Sequence, residues 1–135
     1  MITKPKRRRR KRKSRYHTGV FVSVKTGQSC KYRSGWELSY LQWLEVNPDV
    51  LTFAYESLKI PYLSNVRSGK IRNYIPDVLV EMTSGAKLLV EIKPSRKLVN
   101  AVVKKKIAAA ELYCYAHGLT HVIITEKELK LLGLL

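Results

Sequence analysis

Between Ser34 and Asn47 the apolar residues Leu38, Tyr40, Leu41, Trp43 and Leu44 gather into one stripe at helical spacing, which predicts an amphipathic helix. Ser34-Gly35-Trp36-Glu37 is a capping-box sequence suited to its start, and Asn47-Pro48-Asp49 supplies a stop. Further along the pattern shifts toward strands. Phe53 to Pro61 predicts a strand that carries Glu56, followed by a polar turn from Ser64 to Lys70 with Gly69 in it. Ile71 to Met82 and Lys87 to Lys93 predict two strands around Thr83-Ser84-Gly85, a three-residue hairpin loop with glycine last.

The rest of the chain returns to helix and then strand. Leu98 to Ala116 predicts a long helix with Val99, Val102, Val103, Ala110 and Tyr113 on or near one side and Gly118 at its end. Thr120 to Thr125 has the look of a short buried strand, and Thr125 to Glu128 is a second capping box that opens a terminal helix. Tyr16 to Lys31 predicts an irregular arm with one short strand. The expected order is α-β-β-β-α-β-α, an α/β fold with a mixed sheet flanked by helices.

Charge adds a division of the chain. The 135 residues hold 26 Lys and Arg against ten Asp and Glu, a formal net charge of +16. Ten of those cations and none of the acids fall in residues 1–16, leaving +6 on the remainder. Such a segment lacks the apolar residues that offset ordering entropy, so 1–16 is expected to be a disordered basic tail and 17–135 the folded domain. A polyanion is the natural partner, with DNA first. Arg7, Arg8, Arg9, Arg10, Lys11, Arg12 and Lys13 would neutralise phosphates without choosing sequence; a localisation signal or a solubilising arm is the plainer reading.

No apolar run approaches the roughly 20 residues of a membrane span, and the start is unlike a signal peptide. Cys30 and Cys114 lie far apart without zinc-type spacing, and reduced thiols in a cytoplasmic protein are expected. His17, His117 and His121 form no ligand pattern.

The predicted hairpin brings chemistry together. Centred on Ser84, its register sets Val80 opposite Leu88, Leu79 opposite Leu89 and Glu81 opposite Lys87, a favourable cross-strand pair. The same register sets Asp77 opposite Glu91, with Lys93 two residues on and therefore on the same face. Two adjacent carboxylates repel unless a proton or cation lies between them, and Mg²⁺ favours such oxygen ligands. A surface face with ordinary salt bridges is the plainer alternative, and the geometry alone does not choose between them.

Glu37 also has two readings. It can serve as the second member of the Ser34 capping box. It also shares a helix face with Leu41 and Leu44, where a carboxylate turned toward the core needs a partner such as a metal ion. Arg72, ahead of Asp77, and Arg33, ahead of the capping box, are candidates for phosphate contact. For each taken singly, as for Lys104, Lys105 and Lys106, an exposed surface charge is the plainer reading.

These residues resemble the PD-(D/E)xK nuclease superfamily: Glu on the first helix, Pro-Asp on one hairpin strand and Glu-x-Lys on the next. The blocks Tyr32-Arg33-Ser34-Gly35-Trp36-Glu37, Asn47-Pro48-Asp49-Val50, Ile60-Pro61-Tyr62, Arg72-Asn73-Tyr74-Ile75-Pro76-Asp77 and Val90-Glu91-Ile92-Lys93-Pro94 are similar to the TnsA-like transposon endonucleases and to the head-completion nucleases of tailed phages. The resemblance implies a restriction-endonuclease-like core and Mg²⁺-dependent cleavage of DNA, with Mn²⁺ able to substitute. It implies Glu37, Asp77 and Glu91 as metal ligands and Lys93 as the catalytic lysine.

TnsA-like proteins often carry a second, winged-helix domain, for which no room is left before Leu135. The expectation is therefore phage DNA processing or head completion ahead of transposon end cleavage, in the bacterial or infected cytoplasm or with the virion. A phage portal or capsid component, a transposase or a second copy of the chain are the partners this implies. A non-catalytic DNA-binding or virion-assembly protein on the same fold is the alternative. The sequence holds no element that reads bases, and it leaves the number of metal ions open.

Overall fold

The computed structural model describes residues 17–135. The basic segment 1–16, with Arg7 to Lys13, lies outside the described residues. The central element is a four-stranded sheet of β3 (Val50–Tyr55), β6 (Val78–Met82), β7 (Lys87–Ile92) and β8 (Thr120–Ile124), in the order β3-β6-β7-β8. The β3–β6 and β6–β7 pairs are antiparallel and the β7–β8 pair is parallel. The sheet is therefore mixed, as expected of a restriction-endonuclease-like α/β core. Helix α2 (Ala101–His117) makes the crossover that two parallel neighbours require.

Alternation along β6 and β7 divides the interior in two. Val78, Val80, Val90 and Ile92 pack with Tyr40, Leu41 and Leu44 of α1 (Gly35–Val46) and with Leu129 of α3 (Glu126–Leu131). Leu89 packs on the other side with Ala110 and Cys114 of α2. That second cluster also includes Ile60, Tyr62 and Tyr74, from a separate two-stranded ribbon of β4 (Ile60–Asn65) and β5 (Lys70–Tyr74). Leu41 and Leu44 are completely buried, and truncating either to alanine would cost roughly 2–5 kcal/mol.

The hairpin register matches the one deduced from the loop. Val78 pairs Val90, Leu79 pairs Leu89, Val80 pairs Leu88 and Glu81 pairs Lys87. The loop closes through bonds from Met82 N–H to the Ala86 carbonyl and from Gly85 N–H to the Met82 carbonyl. Gly85 has φ 90°, a conformation glycine adopts without steric cost.

Other boundaries differ from the sequence expectation. The strand expected over Phe53–Pro61 breaks at Glu56, whose φ of 48° turns the chain out of the sheet and into the ribbon. The strand expected over Ile71–Met82 divides at Ile75-Pro76-Asp77, because Pro76 has no N–H to give a ladder. The segment expected to be an irregular arm forms a hairpin of β1 (Gly19–Val22) and β2 (Ser29–Tyr32). Helix α2 starts at Ala101, where Asn100 accepts from the N–H groups of Val102 and Val103. Val99 and Val102 are exposed rather than part of its buried side.

The β1–β2 hairpin also secures α1. Lys25 lies in its loop, and its Nζ donates to the carbonyls of Leu44 (3.1 Å), Asn47 (2.7 Å) and Val50 (2.8 Å). A cation there satisfies carbonyls that the helix end leaves without partners and complements its dipole. Glu45 accepts from Ser23 Oγ (2.6 Å) and Lys25 N–H (2.8 Å), closing the same junction.

Candidate active site

A cleft of about 640 Å³ opens at the end of the central sheet where β6 begins and β7 finishes. Glu37, Asp77, Glu91 and Lys93 all line it, with Arg33 and Arg96 among the surrounding cations. Asp77 stands one step beyond the Val78–Val90 pair, which carries the ladder register on to Glu91. Both carboxylates are buried, Asp77 at 9 % exposure and Glu91 at 6 %.

Each has defined partners. Asp77 Oδ2 accepts from the N–H of Ile92 at 2.7 Å. Glu91 Oε2 accepts from the hydroxyl of Tyr74, and Glu91 Oε1 lies 3.4 Å from Lys93 Nζ. Burial pushes the Asp77 carboxyl well above the ordinary carboxylate range, and the neighbouring Glu91 charge pushes it further. Burial also raises Glu91, against the opposing pull of Tyr74 and Lys93. Two acids that resist ionisation next to each other form a site that gains from a proton or a cation.

Glu37 reaches the cleft from the other layer. Its helix packs on the face of Val78, Val80 and Val90, whereas Glu91, like Leu89, points to the opposite face. Its carboxylate comes around the strand ends, where Oε2 accepts from Tyr55 Oη (2.7 Å) and from Arg33 N–H (2.8 Å). Ser34 Oγ accepts from Glu37 N–H at 3.1 Å, so the forward half of the capping box forms. The return bond goes to the residue before the cap. Among the described residues, no three His, Cys, Asp or Glu side chains are grouped to hold one ion.

The remaining candidates separate. Arg33 lines the carboxylate cleft with its side chain 70 % exposed and pairs with Glu56 at 3.3 Å. Arg72 lies instead in a second cleft between the ribbon and α2. Arg7 to Lys13 are outside the described residues.

Two tyrosines join the site that sequence reasoning missed, Tyr74 on Glu91 and Tyr55 on Glu37. Burial, and then the adjacent carboxylates, hold both phenols above their ordinary range, so both stay hydrogen-bond donors. The available signal was that a buried tyrosine hydroxyl seeks an acceptor, and few acids were present to provide one. Glu126 also supports the site from α3: it accepts from Ser95 N–H (2.9 Å) and Ser95 Oγ, fixing the segment just after Lys93.

The family model described as TnsA-like endonuclease N terminal matches residues 47–126. The chain is also 31% identical over 124 residues to the head completion nuclease of Enterobacteria phage T4, across 76% of this chain and 82% of that protein. No helix among the described residues is long and apolar enough to cross a membrane.

Proposed function

The chain belongs to the TnsA-like endonuclease family, and we propose that it is a Mg²⁺-dependent DNA endonuclease centred on Asp77, Glu91 and Lys93. One observation carries this reading: two buried carboxylates side by side, both held above their ordinary range, in a cleft open to a large ligand. Such a pair fits a hard divalent cation with oxygen ligands. Asp77 and Glu91 would hold it, with Mn²⁺ able to substitute, and Glu37 lines the same cleft from the α1 side. When bound, such an ion polarises a phosphate and lowers the pKa of a coordinated water.

The chain's own groups do the rest. Lys93 Nζ, beside Glu91 and only partly exposed, stabilises negative charge developing on phosphate oxygens. Tyr74 fixes one oxygen of Glu91 so that the other faces Lys93. Ile92 N–H orients Asp77. Arg33 and Arg96 on the cleft wall draw in the DNA backbone, and the basic segment Arg7 to Lys13 adds phosphate neutralisation without sequence choice.

The relative named a head completion nuclease supports a role in phage DNA processing, with a portal or capsid component as the targeting partner. Transposon end cleavage is the second reading, supported by the match to the TnsA-like family. Incubating supercoiled plasmid with the full chain in Mg²⁺, in Mn²⁺ and in EDTA tests the activity. Nicked or linear product with either metal and none in EDTA is the expected result. Intact plasmid under all three conditions, repeated with branched and linear DNA, would overturn the proposal.

A further inference from the structure

The second cleft, about 360 Å³ between the β4–β5 ribbon and α2, is lined by Tyr62, Ser64, Lys70, Arg72 and Lys105. In the ribbon register Tyr62 pairs Arg72 and Ile60 pairs Tyr74. Directly opposed residues share a face, so Arg72 is on the side of the ribbon that buries Ile60, Tyr62 and Tyr74 against α2. Lys70, Arg72 and Tyr74 alternate along β5 and stand roughly 6.6 Å apart on that side. Tyr74 is also the donor to Glu91. The row of cations therefore begins at the candidate cleavage centre and runs away from it.

Among the described residues no carboxylate neutralises this row. Residues 57–75 contain Lys59, Arg67, Lys70 and Arg72 and no acid. Among the described residues the ion pairs are Arg33–Glu56 and Lys93–Glu91, so Lys70, Arg72 and Lys105 have no carboxylate within pairing distance. Lys105 Nζ instead donates to the Ser64 carbonyl at 3.0 Å, which ties α2 to the ribbon. Lys106 Nζ stands 5.8 Å over the Tyr74 ring. A set of like charges fixed on a packed scaffold with no internal counterion suits a polyanion whose charges recur along a line.

We infer that the cleft of Lys70, Arg72 and Lys105 is a second anchoring site for the DNA backbone, holding phosphates that lie beyond those at the carboxylates. This rests on the DNA-endonuclease reading. It adds a fixed direction for the strand, along β5 and away from Tyr74. The site positions substrate and takes no part in bond cleavage.

The test compares full-length Lys70→Ala/Arg72→Ala/Lys105→Ala with a control lacking three exposed cations elsewhere, Lys87→Ala/Lys127→Ala/Lys130→Ala. Binding of a labelled DNA duplex is followed by anisotropy in EDTA over a range of salt. The cleft variant should bind at least roughly tenfold more weakly at moderate salt, with a log–log salt slope shallower by about 0.9 for each phosphate no longer neutralised. The control should retain most of both. Equal losses in the two variants, or none in the cleft variant, would overturn the inference.

Lys105→Gln alone, which keeps a donor to Ser64, guards against misfolding: it should show a smaller change in the same direction, and an unchanged slope counts against the site. Plasmid cleavage by the native chain is read separately. Active native protein with unaltered binding in the cleft variant would remove this inference and leave the nuclease reading intact.

Discussion

Tyr74 donates its hydroxyl proton to Glu91 across the boundary between the β4–β5 ribbon and the central sheet. The two strands are not hydrogen-bonded to each other through their backbones, so this side-chain contact ties the position of the ribbon to the candidate cleavage centre. It occupies one carboxylate oxygen and leaves the other toward Lys93.

Tyr74→Phe keeps the ring that packs in the second core cluster and removes only that donor. Outer partners of metal ligands are commonly worth about 10–100-fold in metal affinity or activity. Cleavage by the Phe variant is expected to fall by about that factor, with most of the loss recovered at high Mg²⁺. Rates measured over a metal titration check this; an unchanged metal dependence would show that the hydroxyl only packs.

Lys93→Ala should reduce the single-turnover rate at saturating DNA by roughly 10²–10³, the usual effect of removing one group that stabilises developing charge. Affinity for DNA in EDTA should change little, because the cleft retains Arg33 and Arg96. A large affinity loss with a normal rate would assign the lysine to binding alone.

The metal-free protein should respond to pH through the same pair. Both carboxyls lie above their ordinary values of 3.8 for Asp and 4.5 for Glu. A carboxyl raised on folding contributes stability below its unfolded pKa, and that contribution is lost as pH rises through the folded value. In EDTA the native chain should therefore melt lower than Asp77→Asn at about pH 8, by roughly 4 °C for each kcal/mol of relieved penalty, with the gap closing toward about pH 5. Mg²⁺ should raise the melting temperature of the native chain and not of the variant. Differential scanning fluorimetry across pH and metal reads both effects.

Lys25→Met tests the junction that holds α1. Three carbonyls lose a charged donor at once, and a loss of about 2 kcal/mol is expected in urea denaturation. Glu37 sits at the opposite end of the same helix, so cleavage at a temperature where the variant remains folded should be nearly unchanged.

Much of this site was legible because strand alternation is strict. The loop Thr83-Ser84-Gly85 set the register, and the register carried Asp77 to Glu91 and Lys93 to the same face. Glu37 was harder to place. Its spacing to Leu41 and Leu44 assigned a helix face, but a helix face does not say which side of a sheet it covers. The structure sets α1 on the valine side, so Glu37 approaches around the strand ends.

The ribbon was hidden for another reason. Phe53–Pro61 and Ile71–Met82 each have the composition of a continuous strand. What divides them is the backbone at Glu56 and the missing donor at Pro76. Arg72 consequently falls outside the carboxylate cleft, and Tyr74 reaches Glu91 through its hydroxyl.

The most direct test of the central claim is single-turnover cleavage of a labelled DNA duplex by the native chain and by Asp77→Asn, side by side in saturating Mg²⁺. The native chain should cleave and the variant should be slower by a factor on the order of 10³ or more, consistent with loss of several kcal/mol of transition-state stabilisation, while binding the duplex as well in EDTA. Equal cleavage rates for the two proteins would contradict Asp77 and Glu91 as the centre at which this nuclease cuts.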